Sequence, residues 1–194
     1  MCYALFKYNI KEIYMKPRGP LMTEHRLIEK MLNIIRKELD VIKNSNTLNS
    51  AFIDTIVDFI QIYADRTHHG KEEDILFTKL HNKKLNPEDE RMMRELTDEH
   101  AVARKMVSQL IEANIKYAGG DSSSIKIIVD TLSELIVFYP PHISKEDKIF
   151  FPDTEKYFSN AELDEMLNEF WEFDKKMIHE KYNAIYESLK ERYA

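Results

Sequence analysis

The sequence predicts an all-α protein, an up-down-up-down four-helix bundle with an additional C-terminal helix. Three observations support this fold class. Only four of the 194 residues are glycine, apolar residues recur at alternating steps of three and four, and no stretch shows the sustained alternation of a β-strand. A domain of this length buries well over half of its unfolded surface, so a core can form without disulfides.

The first two helices are predicted from apolar seams interrupted by polar residues. The first begins at Pro20 and ends near Val41, before the polar stretch KNSNTLNS. Its seam consists of Leu21, His25, Ile28, Leu32, Ile35, Leu39 and Ile42. The second runs from about Leu48 to Leu80, and Gly70 is expected to allow a kink because glycine costs about 1 kcal/mol in a helix interior. Its seam consists of Ile53, Val57, Ile60, Ala64, His68, Glu72 and Ile75.

The remaining helices are bounded by recognisable start and stop signals. Asn86 before Pro87 starts the third, which continues to YAGGDSSS with the seam Met93, Leu96, His100, Ala103, Val107 and Leu110. The fourth begins near residues 122–124 and carries Ile128, Leu132, Leu135, Phe138, His142, Glu146 and Ile149. Pro140 and Pro141 are expected to bend or restart it, and Pro152 to end it. Ser159 and Glu162 form a capping-box pattern that opens a fifth helix, whose apolar face is Leu163, Leu167, Phe170, Met177, Ile185 and Leu189. We therefore divide the chain into an N-terminal extension (1–19), the bundle (20–155) and a C-terminal helix (156–194) packed on the bundle or extending from it.

Composition excludes several classes of protein. Cys2 is the single cysteine, so neither a disulfide framework nor a thiolate cluster can form. The 28 basic and 34 acidic side chains give a formal charge of −6 and are interspersed along the chain, which argues against a nucleic-acid partner. The first 20 residues lack the pattern of a signal peptide, and no apolar run reaches the roughly 20 residues that span a bilayer. We expect a cytoplasmic protein that does not enter a membrane.

Two segments of the chain occur twice. TEHRLIEKML at 23–32 resembles DEHAVARKMV at 98–107, and HHGKEEDILF at 68–77 resembles HISKEDKIFF at 142–151. The offsets are 75 and 74 residues. This similarity predicts a duplicated helical hairpin.

Four histidines are predicted to lie at one height in the bundle. Residues equidistant from a turn are level in antiparallel helices, because each residue rises about 1.5 Å. The midpoints between successive members of the series His25, His68, His100 and His142 fall at 46–47, 84 and 121. Each midpoint lies inside a predicted loop. Glu72 and Glu146 follow one helical turn after a histidine on the same face.

This layer predicts a metal centre formed by His25, His68, Glu72, His100, His142 and Glu146. The pattern His-x-x-x-Glu occurs four times where chance predicts about one, and burying such groups is costly unless they are paired or bind metal. These ligands are too many for one tetrahedral zinc. If each glutamate bridges two ions, each ion receives two nitrogens and two oxygens, with room for an oxo or hydroxo bridge and an exogenous ligand. Two iron ions suit mixed N/O ligation, and zinc or manganese is also compatible.

Other candidates are assigned less central roles. Glu29 pairs with His25 by spacing, but its counterpart in the repeat is Arg104. His69 is expected to face elsewhere on the helix in a supporting or surface role, and Glu73 is expected to point about 100° away from Glu72. His81 is expected in solvent near a loop. His179 and Glu180 are expected on the surface or in packing, with a smaller chance of reaching the site, and Tyr63 and Tyr139 are expected to be core aromatics.

Together, EHRLIEKML, HHGKEEDILF, DEHAVARKMV and HISKEDKIFFP resemble the hemerythrin-like family, the HHE cation-binding domains, over about residues 20–155. The resemblance implies a four-helix bundle around a non-heme di-iron centre with carboxylate and oxo bridges, and it assigns the ligand roles to the same six residues. The animal oxygen carriers of the family use five histidines with His-x-x-x-His on the third helix, where this chain has Ala103 and Arg104 after His100.

The resemblance and the open coordination positions predict a protein whose small ligand is O2, NO or peroxide, bound or sensed at the centre. A di-iron enzyme is the first alternative, acting as a peroxidase, a ferroxidase or in iron-sulfur cluster repair. A regulatory or interaction module, in which metal state changes the packing of the fifth helix, is the second. The sequence names no protein partner.

Overall fold

A computed structural model describes residues 16–192, and describes side chains as far as residue 177. The helix α1 is Arg18–Ser45. The helix α2 spans 50–81 and consists of regular turns at Ser50–Asp58, π-helical turns at Phe59–His69 and Lys71–Phe77, and regular turns at Thr78–His81. The helix α3 is Pro87–Ala118. The helix α4 spans 124–157 as Ser124–Lys145, a π-helical stretch Glu146–Phe150, Phe151–Thr154 and a 3₁₀ turn Glu155–Tyr157. The helix α5 is Asn160–Arg192.

The helix ends follow the polar residues that mark them in the sequence. The side chains of Asn49 and Asn86 accept backbone hydrogen bonds at the starts of α2 and α3, which satisfies amide groups that have no partner within the helix. The predicted capping box is confirmed, because Glu162 Oε2 accepts from Ser159 N at 2.8 Å. The helix α1 begins at Arg18, two residues before the predicted start. Most of the predicted N-terminal extension, including Cys2, lies outside the described residues.

The first four helices form a ring of neighbours, since α1 and α3 each pack against both α2 and α4. Successive helices are antiparallel. At one end of the bundle Ser50 at the start of α2 bonds Asn114 near the end of α3 at 2.9 Å. At the other end Asn86 before α3 bonds Tyr157 at the end of α4 at 3.0 Å. The helix α5 packs against the π-helical half of α2. The all-α bundle is thus confirmed, and none of the helices between residues 16 and 192 has the length and apolar character to cross a membrane.

Two hydrophobic clusters lie on either side of a polar layer. The cluster nearer the 46–49 loop includes Ile35, Ile53 and Leu110, and the cluster at the opposite end includes Leu21, Leu80 and Leu96. Every residue of the predicted seams of α1, α2 and α3 is buried. The second cluster is completed by α5, through the buried side chains of Met166 and Phe170. The packing therefore isolates the polar layer from solvent at both ends.

Three details of α4 differ from the sequence prediction. The helix continues through Pro140 and Pro141 without restarting, because both rings lie on its exposed face, where water can bond the carbonyl groups that lose a partner. Helical turns also continue past Pro152 to Tyr157. Ile149 is 45 % exposed while Phe150 is 1 % exposed.

The exchange between Ile149 and Phe150 has a physical cause. A π-helical turn contains an additional residue, so the apolar face advances by one position after it.

One position of α5 also differs from the sequence prediction. Met166 is buried, whereas the prediction placed the neighbouring Leu167 on the apolar face.

Gly70 separates the two π-helical stretches of α2 and faces α5. A Cβ atom at this position would lie 2.7 Å from Cζ of Phe173. The backbone conformation of Gly70 is ordinary helix, with φ of −59°. The glycine therefore serves close packing of α5 on α2.

Candidate metal centre

The polar layer contains all six predicted ligands. His25, His68, Glu72, His100, His142 and Glu146 are each at most 3 % exposed. The imidazole rings of His25 and His68 lie 4.4 Å apart, and those of His100 and His142 lie 5.1 Å apart, measured between centroids. The expectation that four helices bring one histidine each to a single level is therefore confirmed.

The donor atoms form two groups. One contains His25, His68, Glu72 and Glu146, and the other contains the histidines at 69, 100 and 142; within each group the donor atoms lie within 4.8 Å of one another. Such spacing is compatible with a single cation for each group. We refer to them as the two-histidine group and the three-histidine group.

Glu72 lies between the two groups. Its Oε1 is 3.5 Å from Nε2 of His68, and its Oε2 is 3.4 Å from Nε2 of His100. Each oxygen of this carboxylate therefore faces a different histidine group.

Glu146 spans the two groups in the same way. Its Oε2 is 3.2 Å from Nε2 of His25, while its Oε1 is 3.4 Å from Nε2 of His142 and 3.6 Å from Nε2 of His100. The two glutamates are thus placed as carboxylates shared by both groups.

The inward-facing atoms are left without hydrogen-bond partners. They are buried, and they comprise Nε2 of His25, His68, His100 and His142 and both carboxylate oxygens of Glu72 and Glu146. Buried polar atoms of native proteins are nearly always bonded, so a cluster of orphaned atoms requires a missing partner. These atoms are imidazole nitrogens and carboxylate oxygens, which donate electron pairs once deprotonated, and a metal cation fits that donor set.

The outward-facing nitrogen of each predicted histidine is held by a carboxylate from a neighbouring helix. The pairs, with distances from Nδ1 to oxygen, are His68 with Glu24 at 2.9 Å, His100 with Glu73 at 2.6 Å, His142 with Glu99 at 2.7 Å, and His25 with Asp147 at 2.7 Å. The carboxylates accept these bonds in circular order around the bundle: an acid of α1 accepts from a histidine of α2, an acid of α2 from α3, an acid of α3 from α4, and an acid of α4 from α1. A proton on Nδ1 leaves the Nε2 lone pair directed at the centre, which is the usual support for a metal-binding imidazole.

A basic side chain balances each of these carboxylates. Arg26 pairs with Asp147, Lys71 with Glu24, and Arg104 with Glu73 at 2.9 Å. Lys145 pairs with Glu99 at 2.6 Å. The acids can therefore stay ionised near the buried layer, because each has a compensating charge.

His69 corrects the sequence prediction, which placed this residue on another face of the helix. It is 2 % exposed, its ring stacks on that of His100 at 3.8 Å between centroids, and it belongs to the three-histidine group. The π-helical geometry of α2 is the cause, since wider turns change the angle between successive side chains. Its Nδ1 lies 3.2 Å from Asp65 of the same helix. His69 thus also has a carboxylate at Nδ1, but this acid comes from its own helix, unlike those of the four predicted histidines.

Burial and mutual charges shift the pKa values of the layer in both directions, and burial lowers the pKa values of His68 and His69. Burial alone would lower the pKa of His25, but Asp147 and Glu146 outweigh it and raise that pKa to about 9. Burial would raise the pKa of Glu146, but the nearby imidazoles of His142, His100 and His25 hold that pKa well below its usual range. Burial and the nearby Glu146 raise the pKa of Glu72. A metal cation would supply the positive charge that these carboxylates otherwise draw from protons.

The remaining candidates lie away from the centre or outside the described side chains. Glu29 pairs with Arg26 at 3.0 Å on the surface of α1, and His81 is exposed at the end of α2. Tyr63 is half-buried, and Tyr139 is 2 % exposed within the core. The side chains of His179 and Glu180 are not among those described.

The sequence reasoning missed the carboxylates that hold the histidines. Glu24 and Glu99 each precede a predicted ligand directly, as EH in both copies of the repeat, and Glu73 and Asp147 each follow one. An acid next to a predicted ligand in each of the four segments was thus the pattern in the sequence that could have indicated these supporting carboxylates. It could not be interpreted without the structure, because each acid serves a histidine on another helix.

The helical bundle and its buried layer of histidines and carboxylates place the chain in the class of helical metal-binding proteins. A family model described as hemerythrin HHE cation binding domain matches residues 18–153, and matches again over residues 92–185. The chain belongs to this family. The second match begins 74 residues after the first, which is the offset of the repeated segments. Neither the search of curated proteins nor the search of solved structures gave a match.

Proposed function

We propose that the chain is a non-heme di-iron protein that binds or senses a small oxidant or diatomic molecule, namely O2, NO or peroxide. The observation that carries the proposal is the placement of Glu72 and Glu146, whose carboxylates each face both histidine groups. Shared carboxylates are useful when two cations lie side by side. One isolated cation would leave half of the donor atoms unused.

The donor set favours iron among the metals that bind nitrogen and oxygen. The two-histidine group would hold one ion and the three-histidine group the other, with His69 as the fifth imidazole. The orphaned donors are histidine and carboxylate without thiolate, a combination that suits iron and is compatible with zinc and manganese. When bound, two iron ions would supply redox electrons and open positions for a small ligand.

Metal analysis with optical spectroscopy tests the proposal. The full chain is loaded anaerobically with Fe(II), desalted and assayed for iron, and its spectrum is recorded before and after addition of O2, NO or peroxide. We expect about two iron ions per chain and a spectral change with at least one of the three ligands. The variant carrying Glu72→Gln and Glu146→Gln should retain the helical fold but lose most of the iron. A wild-type chain with no iron, or with no response to any ligand, would refute the proposal.

An enzymatic role is the second candidate, and a polar cavity beside the three-histidine group favours it. Binding and catalysis differ in stoichiometry. Steady consumption of peroxide or Fe(II) beyond two equivalents per chain would indicate an enzyme, whereas a single stoichiometric reaction would indicate a binding or sensing protein.

A further inference from the structure

Lys71 is a fully buried lysine at the contact of α1, α2 and α5. Its Nζ pairs with Oε1 of Glu24 on α1 and lies 2.7 Å from Oδ1 of Asp174 on α5. The same ammonium group lies 5.9 Å from the centre of the Phe170 ring, which also belongs to α5. A buried charge is stable only when such groups compensate it. The helix α5 supplies two of these three groups.

Lys71 is connected to the metal centre through Glu24. The other oxygen of this carboxylate, Oε2, accepts a hydrogen bond from Nδ1 of His68 at 2.9 Å. His68 belongs to the two-histidine group, and its Nε2 is one of the inward-facing atoms. Direct contacts therefore lead from Asp174 on the outer helix to a donor atom of the centre.

The second half of the repeat contains the same lysine with different partners. Lys145 occupies the position that corresponds to Lys71. It lies 2.6 Å from Glu99, the acid that holds His142, and it also pairs with Glu95. Both of these acids belong to α3. In the second half, the lysine thus obtains two carboxylates from one helix of its own hairpin.

The helix α1 does not provide the second carboxylate in the first half. The residue 75 positions before Glu95 is Pro20, which carries no charge. Asp174 of α5 takes the place of this acid beside Lys71. The first half is therefore completed by a helix from outside the repeat.

We infer that Asp174 is a positioning residue for a cation in the two-histidine group, acting through Lys71 and Glu24. Without the negative charge of Asp174, the ammonium group would attract Glu24 more strongly and would place excess positive charge beside a cation site. Both effects weaken the binding of a cation at His68. The fifth helix is thus part of the support of one of the two ions.

The acids of the three-histidine group are balanced by residues of the bundle itself. Arg104 of α3 pairs with Asp65 and Glu73, and Lys145 of α4 pairs with Glu99. A change of charge on α5 should therefore weaken one cation and leave the other.

The coupling between α5 and the two-histidine group acts in both directions. A helix that strengthens cation binding is itself held more firmly when the cation is bound. The inference rests on the proposed function because both concern the same centre. It requires a bound cation, but neither iron nor a small ligand.

The first experiment measures the zinc affinity of the full chain by competition with a chelator. We expect about two zinc ions per chain. Asp174→Asn should weaken one of them by about three- to tenfold, less than the roughly 10- to 100-fold effect of a partner that touches the ligand itself. Glu169→Gln is the matched control, because this acid of α5 pairs with Lys79 of α2 at 2.8 Å and is 39 % exposed, against 36 % for Asp174. Asp174→Glu keeps the carboxylate and should retain most of the wild-type affinity.

The second experiment identifies the imidazole that responds. Histidine is labelled with ¹⁵N, and the Nδ1 protons of the zinc-loaded chain are observed by NMR. Glu24→Gln and Glu99→Gln assign the signals of His68 and His142, respectively. We expect Asp174→Asn to shift the signal of His68 and to leave that of His142 in place. A helix that only packs on the bundle would not produce this selective shift.

Hydrogen exchange tests the effect of the cation on α5. The backbone amides at 163–174 are compared with and without zinc in the wild type, Asp174→Asn and Glu169→Gln. We expect zinc to slow their exchange less in Asp174→Asn than in the other two proteins. The difference should be about the factor that separates the zinc affinities.

The outcomes distinguish this inference from the proposed function. Equal zinc affinities of Asp174→Asn and Glu169→Gln would overturn the inference, as would equal shifts of the two imidazole signals. A wild type that shows the selective zinc effects but fails the iron experiment refutes the proposed function and leaves the role of Asp174 intact. A wild type that binds neither metal overturns both.

Discussion

Nδ1 of His142 on α4 lies 2.7 Å from Oε2 of Glu99 on α3, and the same carboxylate lies 2.6 Å from Lys145. This contact fixes the ring of His142 so that Nε2 faces Glu146. The same relationship, a carboxylate of one helix holding a histidine of the next, occurs at each of the four predicted histidines. The centre is therefore positioned by contacts between helices as well as by the backbone of each one.

Glu99→Gln is expected to weaken metal binding about 10- to 100-fold, the usual effect of losing an orienting partner. The amide lacks the charge that stabilises the Nδ1 proton of His142. The measurement is competition with a chelator of known affinity, with iron bound per chain as the readout. Glu95→Gln is the matched control, because Glu95 contacts Lys145 and Arg91 on the surface. Equal affinity of the two variants would show that Glu99 does not orient the ligand.

His69→Ala is expected to lower iron affinity by about tenfold or more, since a lost donor should cost at least as much as a lost orienting partner. The three-histidine group would keep two imidazoles, as in the other group. His81→Ala provides the control, because this exposed histidine lies on the same helix. If both variants bind iron like the wild type, His69 has only a packing role beside His100.

Lys71→Met is expected to destabilise the metal-free protein by about 3–5 kcal/mol, as when one partner of a buried ion pair is removed. The side chain of Lys71 is fully buried, and its Nζ pairs with Glu24 and, at 2.7 Å, with Asp174 of α5. Lys79→Met removes a more exposed pair with Glu169 and should cost about 0–1 kcal/mol. Urea unfolding followed by circular dichroism gives both values. Similar losses in the two variants would contradict a special role for Lys71.

The change in the free energy of unfolding caused by Gly70→Ala is expected to be less favourable in the wild type than in a Phe173→Leu variant. Alanine normally gains about 1 kcal/mol over glycine within a helix, but its Cβ would here approach Phe173 to 2.7 Å. A double-mutant cycle on the free energy of unfolding should give a coupling of about 0.5–3 kcal/mol. The same effect of Gly70→Ala in both backgrounds would mean that α5 moves away without cost.

The bundle and its histidine layer could be predicted because they depend on regular features. In α1 and α3 every residue turns by a constant angle, so the apolar seam identifies the buried face. The loops are short, so the midpoints place His25, His68 and His100 at one height. These two regularities require no knowledge of contacts between helices.

The parts that escaped prediction depend on local departures from a regular helix. The π-helical turns of α2 bring His69 into the layer, and those of α4 bury Phe150 instead of Ile149. No simple residue pattern announces such turns, since each adds one residue without a break in the helix. The carboxylates Glu24 and Asp147 were visible as acids beside the ligands, but their partners lie on other helices. Assigning them requires the packing itself.

The circular order of the carboxylates bears on how such a protein could arise. Glu73 of the first hairpin holds His100 of the second, while Asp147 of the second holds His25 of the first. Neither hairpin alone can orient its full set of imidazoles. This reciprocity is what a two-fold dimer of one hairpin produces, with each copy lending an acid to the other. When the two halves are joined through the loop at 119–123, assembly of the centre does not depend on protein concentration. Each half can then also change independently of the other, and His69 is found in the first half alone.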